Sequence, residues 1–225
     1  AARLQWFLQY RPDLANLVSH WNEPGQNRRM LLSLLRGHRM KCLLTRLLDE
    51  TRFLSDYGIR SLSRMHRDQP YVFELGDHYE SLAYEPGEST TDAFGGNSNW
   101  RGPIWMPLNY LLIESLQRFY EYYGDRFQVE YPTGSGRLYS LQQISIELAR
   151  RLCRLFLRNG EGRRPIFSDC TKFQADPHFR DHLLFHEYFH GDSGQGLGAS
   201  HQTGWTGLIV LLSQMQADHG GDELI

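Results

Sequence analysis

Cysteine is scarce in this chain, and the arrangement of the few thiols excludes two common uses of the residue. Cys42, Cys153 and Cys170 are an odd number, too few for a disulfide framework. They also lack the spacing that is typical of metal ligands. We therefore expect reduced, buried or incidental thiols in a reducing compartment, and we predict a cytoplasmic protein.

Long apolar runs and an excess of charge of either sign are missing as well. No run approaches the ~20 apolar residues that span a bilayer, and no signal segment opens the chain, so we expect a soluble protein. A formal net charge of -2 and a pI near 6.6 offer no electrostatic reason to predict nucleic acid or a membrane as a partner. The chain begins inside a helical pattern without an initiator Met, which indicates a piece of a longer protein.

The composition that is present is typical of one globular domain, which we assign to residues 1–225. Hydrophobic residues make up 40% of the chain, enough to bury a core. Helical periodicity dominates, with Pro107 and Ser140 as favourable helix starts. One strand-like stretch, 71–84 with a turn at Gly76-Asp77, predicts a surface hairpin. Helices are predicted at 2–10, 13–21, 30–54 with a break near Gly37, 107–124, 140–160, 179–190 and 203–215.

The stretch from Phe94 to Trp105, FGGNSNWRGPIW, combines residue types that suit a sugar ligand. Glycines let the backbone approach a ligand, indoles offer flat apolar faces, and Asn and Arg offer fixed hydrogen-bond geometry. A pyranose has apolar C–H faces and a belt of hydroxyl groups, so it needs this mixture. The predicted sugar-binding residues are Trp100, Arg101, Trp105 and Asn109. For Trp105 and Asn109 the alternative is a structural role, in the core and at the cap of the helix near Pro107.

The segment from His186 to Thr206, HEYFHGDSGQGLGASHQTGWT, is compatible with two different enzyme classes. Its first five residues match H-E-x-x-H, which on a helix would place two imidazoles around zinc, with Glu187 as general base. His182 continues the four-residue spacing. Against a zinc metallopeptidase, Ser193 and Gly196 stand where one protease class requires glycine and histidine. The zinc enzyme remains an alternative to a sugar hydrolase.

Two long segments, FGGNSNWRGPIWMPLNYLLIESLQRF and LLFHEYFHGDSGQGLGASHQTGWTGLI, resemble the C-terminal catalytic region of glycoside hydrolase family 63, particularly its large bacterial members. YGIRSLSRMHRD and YPTGSGRLYSL belong to the same likeness. The resemblance implies an all-α fold, the (α/α)6 toroid, of which this chain is the C-terminal portion. It also implies inverting hydrolysis of an α-glucosidic or related α-glycosidic bond, with Glu187 as general base. This chemistry requires no metal or organic cofactor, because it runs on carboxylates.

Four further residues complete the predicted sugar pocket. Tyr57 lies in a tight turn that either lines the pocket or simply joins two helices. His201 and Gln202 either bind sugar hydroxyl groups or cap the last helix, and Trp205 is either a sugar platform or a core residue. The expected substrate is an oligosaccharide or a small glycoside.

Inverting hydrolysis needs a second carboxyl group, a general acid roughly 6.5–9.5 Å from the base. In the family this acid is an aspartate far upstream of the WRGP-type motif, and no matching segment is present here. Asp92, Glu85 and Glu88 are candidates by chemistry alone, so the acid stays unassigned. We expect the upstream part of the same catalytic domain as a partner, and no catalysis without it. A non-catalytic carbohydrate-binding domain and a purely structural helical domain are the remaining alternatives.

Overall fold

The computed structural model describes residues 2–16, 31, 33–91, 99–201 and 204–219. Over these ranges the chain forms seven α-helices, which are α1 (Ala2–Tyr10), α2 (Pro12–Ala15), α3 (Gly37–Leu47), α4 (Met106–Tyr123), α5 (Leu141–Arg154), α6 (Thr171–Ala175) and α7 (Ile209–His219). Over the same ranges it forms four antiparallel hairpins, which are β1 (Leu54–Ser55) with β2 (Gly58–Ile59), β3 (Tyr71–Leu75) with β4 (His78–Leu82), β5 (Gln128–Glu130) with β6 (Leu138–Ser140), and β7 (Tyr188–Phe189) with β8 (Gly196–Leu197).

Helix α5 is the centre of the hydrophobic core and packs between α4 and α7. Its buried Ile144, Leu148 and Leu152 recur every four residues and therefore lie on one face. The start of α5 is determined by a capping box. The Ser140 hydroxyl accepts the Gln143 N–H, and the Gln143 side chain accepts the Ser140 N–H. These paired bonds satisfy backbone donors that would otherwise have no partner at the helix start.

Three predictions that rest on turn and capping residues are confirmed. Helix α4 has Pro107 in its first turn and stops before Gly124. Strands β3 and β4 pair around Gly76-Asp77 as a largely exposed hairpin. Helix α5 begins as predicted but ends at Arg154, before the predicted end at 160. After Arg154 the backbone N–H groups of Leu155 and Phe156 bond to carbonyl groups only three residues back.

The helix predicted at 179–190 is wrong. No α-helix forms over these residues, and Tyr188–Phe189 is the extended strand β7. Phe189 is buried between two extended neighbours, Gly196 on one side and Ile104 on the other. A helix would break both pairings, so tertiary contacts override the local helical pattern.

Three other predicted helices need new boundaries. The helix predicted at 30–54 forms only as α3, Gly37–Leu47, and Leu54 belongs to strand β1. The helix predicted at 13–21 is present as α2, and its residues beyond 16 lie outside the described ranges. The last helix begins at Ile209, after a 3₁₀ turn over Thr206–Leu208, and not at 203.

The predicted all-α class is correct only in part, because the helix-rich structure also contains the four hairpins. Hairpin β5–β6 lies between the predicted helices 107–124 and 140–160, whereas β1 and β7 overlap residues that were predicted to be helical. Pairing of this kind satisfies backbone polar groups in long connections that are partly buried.

The structure also bears on the cysteines and on the lack of long apolar runs. All three thiols are free, with Cys153 buried and Cys42 and Cys170 exposed. Among the helices of the described ranges, none combines the length and the apolar character that crossing a membrane requires.

Candidate active site

The three segments that carry the sequence motifs meet in the structure as extended neighbours. Ile104 lies between Arg60 and Phe189 and forms an antiparallel bridge to each. The Ile104 N–H donates to the Phe189 carbonyl at 2.8 Å, and the Phe189 N–H donates to the Ile104 carbonyl at 3.0 Å. Both side chains are completely buried. The segment that ends at Trp105 is therefore held directly against the strand that follows Glu187.

An aromatic cluster, formed by Trp100, Trp105, Tyr188 and Trp205, lies at this junction. The rings of Trp100 and Trp105 are stacked, with centroids 3.9 Å apart and an angle of 2° between planes. Tyr188 stacks on Trp105 at 4.8 Å, and Trp205 meets Trp105 edge-on at 5.8 Å. Trp105 is 1% exposed, whereas Trp100 is 43% exposed. Trp105 is thus the centre of the cluster, and Trp100 presents a flat apolar face to solvent.

Glu187 is half-buried and adjoins the aromatic cluster. Its backbone carbonyl accepts a hydrogen bond from Trp205 Nε1 at 3.0 Å, and its Oε2 accepts the Ala199 N–H at 3.4 Å. Gly198 has a φ of 67°, and a Cβ at this position would lie 2.7 Å from Glu187 Oε2. Only glycine lets the chain pass this close in that conformation. The glycine-rich loop, which the sequence places at 191–202, therefore passes beside the carboxylate at Gly198 and forms a wall there.

Arg101 is buried and binds protein groups. Its Nη2 donates to Glu85 Oε2 at 2.7 Å and to Ser89 Oγ at 2.6 Å. Asn99 accepts the Arg101 backbone N–H at its Oδ1, and the Asn99 carbonyl accepts Trp105 Nε1 at 3.0 Å. Asn99 belongs to the predicted sugar-binding stretch but was not singled out as a site residue. It ties the arginine to the aromatic cluster.

Asn109 and Tyr57 connect the β1–β2 hairpin to the site. Asn109 is buried, its Oδ1 accepts the Ile59 N–H at 2.7 Å, and its Nδ2 donates to the Ile59 carbonyl at 3.0 Å. Tyr57 is half-buried and its ring packs against Gly194 of the glycine-rich loop. Burial raises the pKa of the Tyr57 hydroxyl, and the neighbouring Asp56 charge adds to this effect. Asn109 has a structural role here, and Tyr57 lies against the loop that borders Glu187.

Replacing Asn109 by alanine is expected to lower the free energy of unfolding by about 2–4 kcal/mol, because both buried polar groups of Ile59 lose their partner. Urea unfolding followed by circular dichroism measures this change. Asn159→Ala is the matched control, since the Asn159 amide oxygen holds only an exposed turn. Equal losses in the two variants would contradict the structural role of Asn109.

The histidines of the H-E-x-x-H match do not share a helical face, since residues 182–190 form no α-helix. The zinc interpretation therefore loses the geometry on which it depended. Burial lowers the pKa of His186, the proximity of His201 adds to this effect, and Nδ1 of His186 has no hydrogen-bond partner within the described ranges. In the described part of the chain, no three His, Cys, Asp or Glu residues are grouped so that they could hold a metal ion.

Two of the predicted sugar-binding residues belong to the end of the glycine-rich loop. His201 is exposed and forms a parallel bridge with Phe185. Gln202 lies outside the described residues, as does the acid candidate Asp92. Of the other acid candidates, Glu85 is paired with Arg101, and Glu88 is exposed.

Comparison with known proteins places the chain among sugar hydrolases. The family model of the mannosylglycerate hydrolase MGH1-like glycoside hydrolase domain matches residues 30–206. An uncharacterized protein of Saccharomyces cerevisiae is 48% identical over 211 residues, which are 92% of this chain and 19% of that protein. The mannosyl-oligosaccharide glucosidase of Saccharomyces cerevisiae is 26% identical over 168 residues, 72% of this chain and 13% of that protein. The probable mannosyl-oligosaccharide glucosidase of Schizosaccharomyces pombe is 28% identical over 183 residues, 80% of this chain and 16% of that protein. The chain therefore spans less than a fifth of the length of each of these relatives.

Proposed function

Because the chain belongs to the MGH1-like glycoside hydrolase domains, and so to glycoside hydrolase family 63, we propose that it supplies the general-base half of an inverting α-glycosidase site. Glu187 is the proposed base, which takes a proton from the water that attacks the anomeric carbon. The observation that carries the proposal is the position of Glu187, beside both the glycine-rich wall and the aromatic cluster. A carboxylate next to flat apolar rings matches what the hydrolysis of a pyranoside requires.

The exposed face of Trp100 is the proposed platform for the sugar ring, with Trp105 as its rigid support. Trp205, Tyr57, His201 and Gln202 are proposed to line the same pocket. Arg101 and Asn109 are proposed to act on the sugar through the wall that they hold, because Arg101 Nη2 is bonded to Glu85 and Ser89 and the Asn109 amide is bonded to Ile59.

The proposed substrate is an oligosaccharide that carries α-linked glucose. The names of two relatives, both mannosyl-oligosaccharide glucosidases, support this substrate class. The general acid and the remaining helices of an (α/α)6 toroid are proposed to come from protein outside these 225 residues. Glu85 is unsuited to the role of acid in this arrangement, because its carboxylate is paired with the buried guanidinium of Arg101.

The proposal is tested with α-D-glucosyl fluoride and the complete gene product. Fluoride leaves without a proton from a general acid, so hydrolysis of this substrate depends mainly on the base. Proton NMR is expected to show β-glucose as the first product, since water attacks the face opposite the leaving group. First formation of α-glucose would contradict inversion. If the protein binds α-D-glucosyl fluoride or α-glucosyl oligosaccharides but does not hydrolyse them, it is instead a non-catalytic binding domain.

A further inference from the structure

Asp192 is a partly buried carboxylate for which the proposed chemistry gives no role. It lies in the connection between β7 and β8, on the glycine-rich side of Glu187. Its Oδ1 accepts hydrogen bonds from Arg60 Nε at 3.2 Å, from Arg60 Nη2 at 3.0 Å and from the Tyr84 hydroxyl at 2.9 Å. Its Oδ2 accepts Arg67 Nη2 at 2.7 Å. One carboxylate therefore binds three side chains that come from distant parts of the chain.

The charges around Asp192 make these bonds mutually dependent. Arg60 is 5% exposed, so its guanidinium depends on Asp192 for an anionic partner. Burial alone would raise the pKa of Asp192, but the Tyr84 hydrogen bond and the charge of Arg60 outweigh it, and the pKa lies below its ordinary value. Burial raises the pKa of the Tyr84 hydroxyl, which therefore remains a donor. The carboxylate is thus held ionised between two cations and a hydroxyl group.

The partners of Asp192 are the same segments that form the candidate active site. Arg60 is bridged to Ile104, next to Trp105 in the sequence. Gly191, immediately before Asp192, packs so closely on the Gly102 carbonyl that a Cβ would lie 2.5 Å from it. These contacts attach the connection between β7 and β8 to the segment that carries Trp100 and Trp105.

The same connection joins the two strands that lie next to Glu187. Glu187 immediately precedes β7, and its Oε2 accepts the N–H of Ala199, two residues after β8. His190 Nδ1 accepts the backbone N–H groups of Asp192 and Ser193 at 3.1 and 3.2 Å, which closes the turn around the carboxylate. A shift of Asp192 would therefore move both strands that flank the base.

We propose that Asp192 is a positioning residue, which holds the Glu187 strand in register with the aromatic cluster by clamping Arg60, Arg67 and Tyr84. This inference rests on the proposed function of Glu187. Asp192 does not itself contact substrate in this role. It acts through the geometry of the base, and so it affects the chemical step more than the binding of the sugar ring by Trp100.

The test is Asp192→Asn in the complete gene product, with α-D-glucosyl fluoride as substrate. The amide keeps the shape of the side chain but removes the charge that both arginines bind. We expect kcat to fall about 10–100-fold, as for a small displacement of a catalytic group, with KM changed less than about threefold. The concentration of folded protein is measured by circular dichroism, and kcat is calculated per folded molecule. A role in stability alone predicts a lower unfolding midpoint with kcat unchanged per folded molecule, and that result would overturn the proposal.

Two companion variants complete the experiment. Tyr84→Phe removes one hydrogen bond to Asp192 and keeps the ring, so it is expected to lower kcat by a smaller factor. If Asp192→Asn does not fold, Tyr84→Phe tests the role of Asp192 in its place. Asp169→Asn is the matched control, because its carboxylate pairs with Arg163 at the surface, and we expect no change in kcat. If Glu187→Gln keeps its turnover, the proposed function and the role of Asp192 both fail. If Glu187→Gln is inactive while Asp192→Asn and Tyr84→Phe keep kcat, only the role of Asp192 fails.

Discussion

Glu187→Gln is expected to lower kcat for α-D-glucosyl fluoride by about 10²–10⁴-fold in the complete gene product, which is the usual contribution of general-base catalysis. The amide cannot take a proton from water at neutral pH. It keeps the shape of the side chain and a carbonyl oxygen that can still accept the Ala199 N–H. The fold should therefore be unaffected, and a rate assay combined with an unfolding curve separates the two effects.

Glu161→Gln is the control for this substitution. Glu161 is exposed in the connection between α5 and α6, so the same chemical change is expected to leave kcat and the unfolding midpoint as they are. Turnover near that of the unmodified protein in Glu187→Gln would end the proposal that this glutamate is the base. An equal loss of rate in both variants would point to a general effect of removing a carboxylate.

Trp105→Ala is expected to lower the free energy of unfolding by about 3–5 kcal/mol, the usual cost of truncating a large buried aromatic residue. Trp105 contacts Trp100, Tyr188 and Trp205, and its Nε1 donates to the Asn99 carbonyl. Truncation would leave a cavity in the centre of the cluster and an acceptor without its donor. Urea unfolding followed by far-ultraviolet circular dichroism measures the loss without depending on tryptophan fluorescence.

Trp100→Ala is the matched comparison, because it removes the other half of the same stacked pair from the exposed side. We expect the free energy of unfolding to fall by about 1 kcal/mol or less, because the residue is exposed. We expect KM for α-D-glucosyl fluoride to rise about tenfold, on the order of 1.4 kcal/mol of binding. A large loss of stability with unchanged KM would show that Trp100 is a packing residue and not a sugar platform.

Local sequence signals were sufficient for the elements that form from neighbouring residues. The first-turn Pro107, the capping residue Ser140 and the Gly76-Asp77 turn each act within a few positions of themselves, and α4, α5 and the β3–β4 hairpin begin or turn where these residues predict. The same kind of reasoning failed at 179–190. There the strand pairing of Phe189 with Gly196 and Ile104 depends on segments that lie elsewhere in the chain.

The candidate site divides in the same way. Its motifs, read in order along the chain, were enough to indicate a relative of glycoside hydrolase family 63 and to single out Glu187, Trp100 and Trp105, which the structure places around one junction. Only the tertiary structure shows which polar side chains near the site are bonded to protein groups. Arg101 and Asn109 have the residue types of sugar ligands, but both are buried against protein groups.

Asp192 shows most clearly why folding was needed to assign such roles. Its carboxylate is bound by Arg60 from 132 positions away, by Arg67 from 125 and by Tyr84 from 108. A short-range pattern carries no information about partners at these separations, because the bonds exist only when the core brings the segments together. Residue types and local order therefore predict the kind of chemistry and a candidate base, and packing determines which polar side chains are bonded to protein groups and which surfaces stay exposed.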